Sequence, residues 1–195
     1  MNWRDLRYLQ KGNPRQQHAY AVLQALKIPA TLREFDPVLT GTIPLAIDTA
    51  DSDLDVICEV GPAARLRFRH LLREHYGHLP AFRLVEATIG GHNSVVCEFH
   101  YDGLMVEVFG QDQPTNQQNA FRHLLVEHAL LGAGGEAWRR AVQALKHEGW
   151  KTEPAFAALL HLPGDPYEAL LALEGRTPAE LVALLAQHPL PATGG

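Results

Sequence analysis

The chain has 195 residues, 46% of them hydrophobic, and a formal net charge of −5. That is enough for an ordinary packed interior without disulfide or metal staples, and the acidic balance argues against an extended nucleic-acid surface while leaving room for a local basic groove. No run approaches the ~18 consecutive apolar residues of a membrane span, and Met1-Asn2-Trp3-Arg4-Asp5 lacks an apolar signal core, so a cytoplasmic protein with no membrane partner is expected.

The first predicted elements are helical. Asp5-Leu6-Arg7-Tyr8-Leu9 is one, and a second opens at Asn13-Pro14 and carries Tyr20, Leu23 and Leu26, with Asn as the N-cap and Pro at the first helical position. Pro37-Val38-Leu39 predicts a short strand entering the turn at Gly41, and Leu54, Val56 and Ile57 anchor a second strand. Gly61-Pro62 opens a helix through Leu66, Phe68, Leu71 and Leu72 to Tyr76. Three strands follow over 82–89, 94–101 and 104–109, joined by Gly90-Gly91-His92-Asn93 and by the tight turn Asp102-Gly103. That last hairpin puts Glu107 and Phe109 on one face and Val106 and Val108 on the other. Cys58 and Cys97 lie in apolar strand runs, which suits reduced core thiols better than a disulfide framework.

Beyond Pro114 the composition turns to leucine and alanine, and helices are predicted over 116–131, 136–148, 153–162, 166–173 and 178–187. Breaks fall at Gly132-Ala133-Gly134-Gly135, Gly149, Pro163-Gly164 and Gly175; Asp165 reads as the N-cap of the helix begun by Pro166. The expected organisation is an α+β core of mixed β-sheet with flanking N-terminal helices over 1–113, a C-terminal helical subdomain over 114–188, and a Pro- and Gly-containing disordered tail over 189–195.

Chemistry concentrates in Gly41-Thr42-Ile43-Pro44 and Asp51-Ser52-Asp53-Leu54-Asp55. Alternation along a strand points Asp53 and Asp55 to the same face. Two carboxylates on a rigid base suit a hard divalent cation, Mg2+ with Mn2+ as a substitute, whose shell is completed by water and substrate phosphates. Glu107 is the only charge in Leu104-Met105-Val106-Glu107-Val108-Phe109, and a lone buried carboxylate is costly. If its strand lies beside the first, Asp53, Asp55 and Glu107 form a cluster able to hold two cations about 3.5 to 4 Å apart for in-line displacement at phosphorus.

Other candidates carry a bland alternative. His123 and Glu127 are one helical turn apart, with Gln118 and Arg122 nearby, and the stripe reads either as nucleotide or acceptor recognition or as ordinary pairs on an exposed helix face. Lys146 and Lys151 flank Gly149; each could neutralise triphosphate charge, as could Arg122, or the lysines could simply complement a helix dipole. The other histidines show no paired zinc spacing.

Gly41-Thr42, ten intervening residues, Asp53-Leu54-Asp55 and a later strand acid Glu107 together resemble the signature of the nucleotidyltransferase superfamily with a DNA polymerase beta-like core. With Gln117-Gln118-Asn119-Ala120-Phe121-Arg122-His123 and Lys151-Thr152-Glu153-Pro154-Ala155-Phe156, the chain resembles more closely a bacterial domain-of-unknown-function family that shares that core. The resemblance implies that Gly41 and Thr42, the latter in place of the usual serine, contact nucleotide phosphates. It implies further that Asp53 and Asp55 ligate metal and that Glu107 ligates metal or activates the attacking hydroxyl. Arg122, His123, Lys146 and Lys151 join as nucleotide-binding candidates. The implied activity transfers a nucleoside monophosphate from an NTP to a hydroxyl of a small molecule, protein or RNA end. The alternative from another class is a non-catalytic nucleotide-binding or protein-interaction module, such as one half of a toxin-antitoxin pair.

Overall fold

Leu54, Val56 and Cys58 alternate with Asp55, Ile57 and Glu59, so one strand offers an apolar side and a mixed side. In the computed structural model, which describes residues 1–190, that strand is second in a five-stranded sheet; residues 191–195 of the expected tail lie outside the described residues. The chain forms two compact units: Met1–Ala46 with Asp51–Phe121, and Ile47–Ala50 with the residues from Arg122 on.

The first unit contains β1 (Val38–Thr40), β2 (Leu54–Glu59), β3 (Arg83–Ile89), β4 (His92–Tyr101) and β5 (Leu104–Gln111) in the order β1-β2-β5-β4-β3. Only β2 and β5 pair in parallel. The β4–β5 hairpin turns on Asp102 (φ 47°) and Gly103 (φ 76°), two left-handed residues as a two-residue turn matched to strand twist requires. It sets Tyr101 opposite Leu104. Before the sheet come a 3₁₀ turn (Leu6–Lys11), α1 (Pro14–Ala25) and the short α2 (Ile28–Thr31). The Asn13 side chain caps α1 in a reciprocal box with Gln16, and Pro14 starts the helix.

Leu54, Val56, Cys58, Val95, Cys97, Phe99, Val106 and Val108 share one sheet face and are all buried. Burying each large side chain among them contributes about 1.5 to 3 kcal/mol. Helix α3 (Arg65–Tyr76) covers this face through Phe68, Leu72 and Tyr76, and Tyr76 stacks on Phe99 with ring centroids 5.0 Å apart. Gly110 permits the close approach: a Cβ there would stand 2.5 Å from Phe68 Cε1 and 2.7 Å from Val60 Cγ2. Helix α3 starts at Arg65 because residues 61–64 form a turn closed by the Ala64 N–H on the Gly61 carbonyl at 3.0 Å. Both cysteines are free and buried. Burial pushes both thiols up, Cys97 to about 12.

In the second unit α4 (Asn119–His147), whose first residues belong to the first unit, is interrupted at Gly135 (φ 62°, ψ −154°), within the predicted glycine-rich break. Then come α5 (Thr152–Leu159), α6 (Pro166–Leu171) and α7 (Pro178–Gln187). Asp165 caps α6 by accepting from the Tyr167 and Glu168 N–H groups at 3.0 and 3.1 Å, and a Thr177–Glu180 box caps α7. Among the described residues no helix is long and apolar enough to cross a membrane.

Candidate active site

The parallel pairing of β2 with β5 sets Asp55 directly beside Glu107. Neighbouring pairings extend this into one row across the whole sheet: Thr40 opposite Asp55, Asp55 beside Glu107, Glu107 opposite Glu98, and Glu98 opposite Arg83. Paired residues on adjacent strands share a face and are separated by about 5 Å. Asp55 and Glu107 therefore project from the side of the sheet that α3 does not cover, with Val106 and Val108 buried behind them.

The acids act on one another. Burial, then Glu98, then Asp53 push the Glu107 carboxyl above its ordinary range, because each disfavours another negative charge. Asp53, one residue before β2, thus lies within electrostatic reach of Glu107. Arg83 partly balances the row, its Nη1 lying 3.5 Å from Glu98 Oε2, but its side chain is 67% exposed, so solvent screens much of that attraction.

Gly41 sits at the end of β1 with φ 75°, a backbone conformation that suits glycine. An ideal Cβ built on it would come 2.2 Å from Asp55 Oδ2, so the Asp55 carboxylate occupies the space that glycine leaves. Thr42 Oγ1 donates to Ser52 Oγ at 3.1 Å, tying the two ends of the intervening loop. The start of that loop is held from α1: buried Gln16 donates through Nε2 to the Ile43 and Pro44 carbonyls at 2.9 and 3.1 Å. Its Oε1 meanwhile accepts from the Asn13 N–H at 3.0 Å. Arg15 Nη2 reaches the Ser52 carbonyl at 3.1 Å. Gln118, grouped with the polar stripe in the sequence, is instead buried, its Nε2 donating to the Cys58 and Gln113 carbonyls, each at 2.9 Å.

The remaining sequence candidates lie in the second unit. His123 is 6% exposed; its Nε2–H donates to the Tyr167 carbonyl at 3.0 Å, leaving Nδ1 3.5 Å from Glu153 Oε1. Glu127 is 4% exposed, and burial followed by Glu153 raises its carboxyl well above the ordinary range against the pull of Lys146. The stripe formed by His123 and Glu127 is therefore interior. Lys146 Nζ donates to Thr152 Oγ1 at 3.0 Å; burial lowers its pKa while Glu127, Glu153 and Asp48 oppose. Arg122 holds Glu174 through Nε at 2.9 Å and Nη2 at 2.7 Å. Lys151 is exposed at the start of α5.

As a metal centre the acid row offers hard oxygen donors and mutually repelling charges, which suits Mg2+ or Mn2+ better than a thiophilic ion. Among the described residues no three His, Cys, Asp or Glu side chains stand together as a metal-holding group. The fold supplies carboxylates at strand spacing, not a closed protein cage.

Sequence reasoning missed Glu98, Arg83 and Gln16. The signal for the first was present: an Asp102-Gly103 turn pairing Tyr101 with Leu104 necessarily pairs Glu98 with Glu107. Nothing local foretold that Gln16 would reach 27 residues along the chain to Ile43.

Residues 21–173 match the family described as Domain of unknown function (DUF4269). No curated protein matches the sequence. Among solved structures, the Cid1 poly(U) polymerase bound to Mg 3'-dATP superposes with a TM-score of 0.52 at 12% identity, over 85% of this chain and 52% of that one. GLD-2 in its complex with RNP-8 gives 0.54 at 11%, over 93% and 81%, and the polymerase core of TRAMP, an RNA surveillance complex, 0.50 at 10%, over 91% and 58%. The chain thus spans about half the length of the Cid1 polymerase, and identities this low speak to the fold alone. By family the chain belongs to DUF4269, and by architecture its mixed sheet with flanking helices is a nucleotidyltransferase-like fold.

Proposed function

We propose that this protein is a metal-dependent nucleotidyltransferase that moves a nucleoside monophosphate from an NTP to a hydroxyl on a small molecule, protein or RNA end. The observation that carries this reading is the pairing of Asp55 with Glu107 on neighbouring strands while the Asp55 carboxylate packs against Gly41. An anionic row beside a glycine turn accounts for both ends of the reaction: acids for cations, and backbone N–H groups for phosphates.

In this reading Asp53 and Asp55 are carboxylate ligands for Mg2+ or Mn2+, and Glu107 is shared between cation and acceptor. Bound cations would neutralise the triphosphate and lower the pKa of the attacking hydroxyl. The Gly41–Thr42 turn orients the phosphates, with the Ser52 contact to Thr42 Oγ1 holding its shape. Glu107, whose carboxyl is raised in the metal-free protein by burial and by Glu98 and Asp53, would accept the hydroxyl proton. The acceptor oxygen bonds to the α-phosphorus as the bond to pyrophosphate breaks.

The test combines calorimetric titration of NTP with Mg2+ or Mn2+ and a pyrophosphate-release assay with labelled NTP in cell extract, on the wild type and on Asp53→Asn and Asp55→Asn. Each substitution should lower turnover by about 10²-fold or more, the scale of losing one transition-state charge stabiliser, with the fold intact by circular dichroism. Pyrophosphate release equal to wild type in both variants rejects the assignment.

A further inference from the structure

On the sheet face opposite Asp55 and Glu107, a polar cleft of about 360 Å³ opens between the first turn of α3 and the β3–β4 hairpin. It is lined by Arg65, Glu86, Thr88 and Asn93 among others. Glu86 pairs across the strands with buried Val95, and Thr88 with Asn93, which puts these side chains on the α3 side.

Arg65, which lines the cleft, and Arg69, which is ion-paired to the lining Glu86, each carry a guanidinium nitrogen without an acceptor. Arg65 Nη2 and Arg69 Nε are both buried without a hydrogen-bond partner. The two arginines are four residues apart and so share one side of α3. Their neighbour Arg67 is held by Glu34 at 2.8 Å, and Arg69 spends its Nη1 on Glu86. A buried charged donor without an acceptor is expensive, and it marks a place where an unseen group completes the set.

The geometry points to an oxyanion site in this cleft that takes a phosphate group, either as the free anion or as a phosphomonoester, separately from the acid row. Arginine favours planar, multidentate contact with phosphate oxygens. The Thr88 hydroxyl and Asn93 amide add donors from a second direction, which matches a tetrahedral acceptor with three or four oxygens better than a carboxylate with two. The Glu86 carboxylate opposes the anion and offsets Arg65 within the lining, but Arg69, ion-paired to Glu86, brings the charge of the three side chains to one positive.

The experiment follows the arginine Nε–Hε resonances of the full chain by NMR during titration with inorganic phosphate and, separately, with a nucleoside monophosphate. Arg65 and Arg69 should shift and saturate. Arg65→Gln should weaken the interaction about tenfold or more, as loss of a charge-assisted contact does, and Asp55→Asn should leave it unchanged. Tighter binding of the phosphate ion identifies a free-anion site, and tighter binding of the monophosphate a phosphoester site; both support the proposal. Thr88→Val is the second variant if Arg65→Gln fails to fold, and it should weaken binding in the same sense. Shifts confined to arginines other than Arg65 and Arg69, no shift at all, or equal affinity in a folded Arg65 or Thr88 variant overturn it.

Discussion

The Asp55 carboxylate fills the space a side chain at Gly41 would need: a Cβ there would lie 2.2 Å from Asp55 Oδ2. Glycine at this turn and the acid on β2 are thus one steric unit. Gly41→Ala must both adopt a left-handed φ and displace the carboxylate. It should destabilise the protein by about 1 to 2 kcal/mol from the backbone conformation alone and lower transfer activity to the level of Asp55→Asn. Urea unfolding and the pyrophosphate assay read the two effects; wild-type activity in Gly41→Ala would show that the Asp55 position is not critical.

Glu98 is paired with Glu107 across β4 and β5, and its charge is one of the causes that raise the Glu107 carboxyl. Glu98→Gln removes that repulsion, so in the metal-free protein Glu107 should titrate at lower pH than in the wild type. Carboxyl-selective carbon NMR measures this directly. An unmoved Glu107 titration means that burial and Asp53 account for the whole displacement.

Glu127 gives the second unit a pH dependence of definite sign. Unfolded, it ionises near 4.5; folded, burial and Glu153 hold the proton to well above that value. The native state therefore binds the extra proton, and stability falls as pH rises from about 4.5 toward the raised native value, then levels off. Glu127→Gln should remove a slope of up to about 1.4 kcal/mol per pH unit within that window, while the smaller slope of the same sign from Glu107 remains. Denaturant unfolding across a pH series checks it, and an unchanged slope in the variant would falsify the assignment of a buried neutral acid.

Gln16 closes the helix cap with one end and holds the Ile43 and Pro44 carbonyls with the other. Gln16→Ala leaves two buried carbonyls without that donor and should cost about 1 to 3 kcal/mol. Hydrogen exchange should show faster opening of residues 43–46 than of the sheet, with a fall in transfer activity that exceeds the loss in folded population. Uniform acceleration across the unit would instead indicate global destabilisation.

Legibility followed the range of the interactions. The Asn13-Pro14, Asp165-Pro166 and Asp102-Gly103 signals act within a few residues, and each produced the cap or turn expected. The Glu98–Glu107 pairing could be counted from the hairpin. The parallel neighbour of β5 could not, because joining β2 to β5 spans a helix and two strands and no local signal sets the register. His123 and Glu127 were visible as a stripe, but a polar stripe is compatible with either solvent or interior, and only the packing of α4 in its unit chose interior.

By itself the sequence determined the strand alternation that groups Asp55 with Ile57 and Glu107 with Phe109, the turns and caps that bound the elements, and the residue types able to hold cations and phosphate. Those properties come from backbone sterics and side-chain chemistry over a few residues. Only the tertiary structure decided that Asp55 would stand beside Glu107, that Gln16 would brace the Gly41 turn, and that one guanidinium nitrogen each of Arg65 and Arg69 would be buried without an acceptor. Those outcomes depend on which distant surfaces exclude water together, a choice made by packing the whole chain at once.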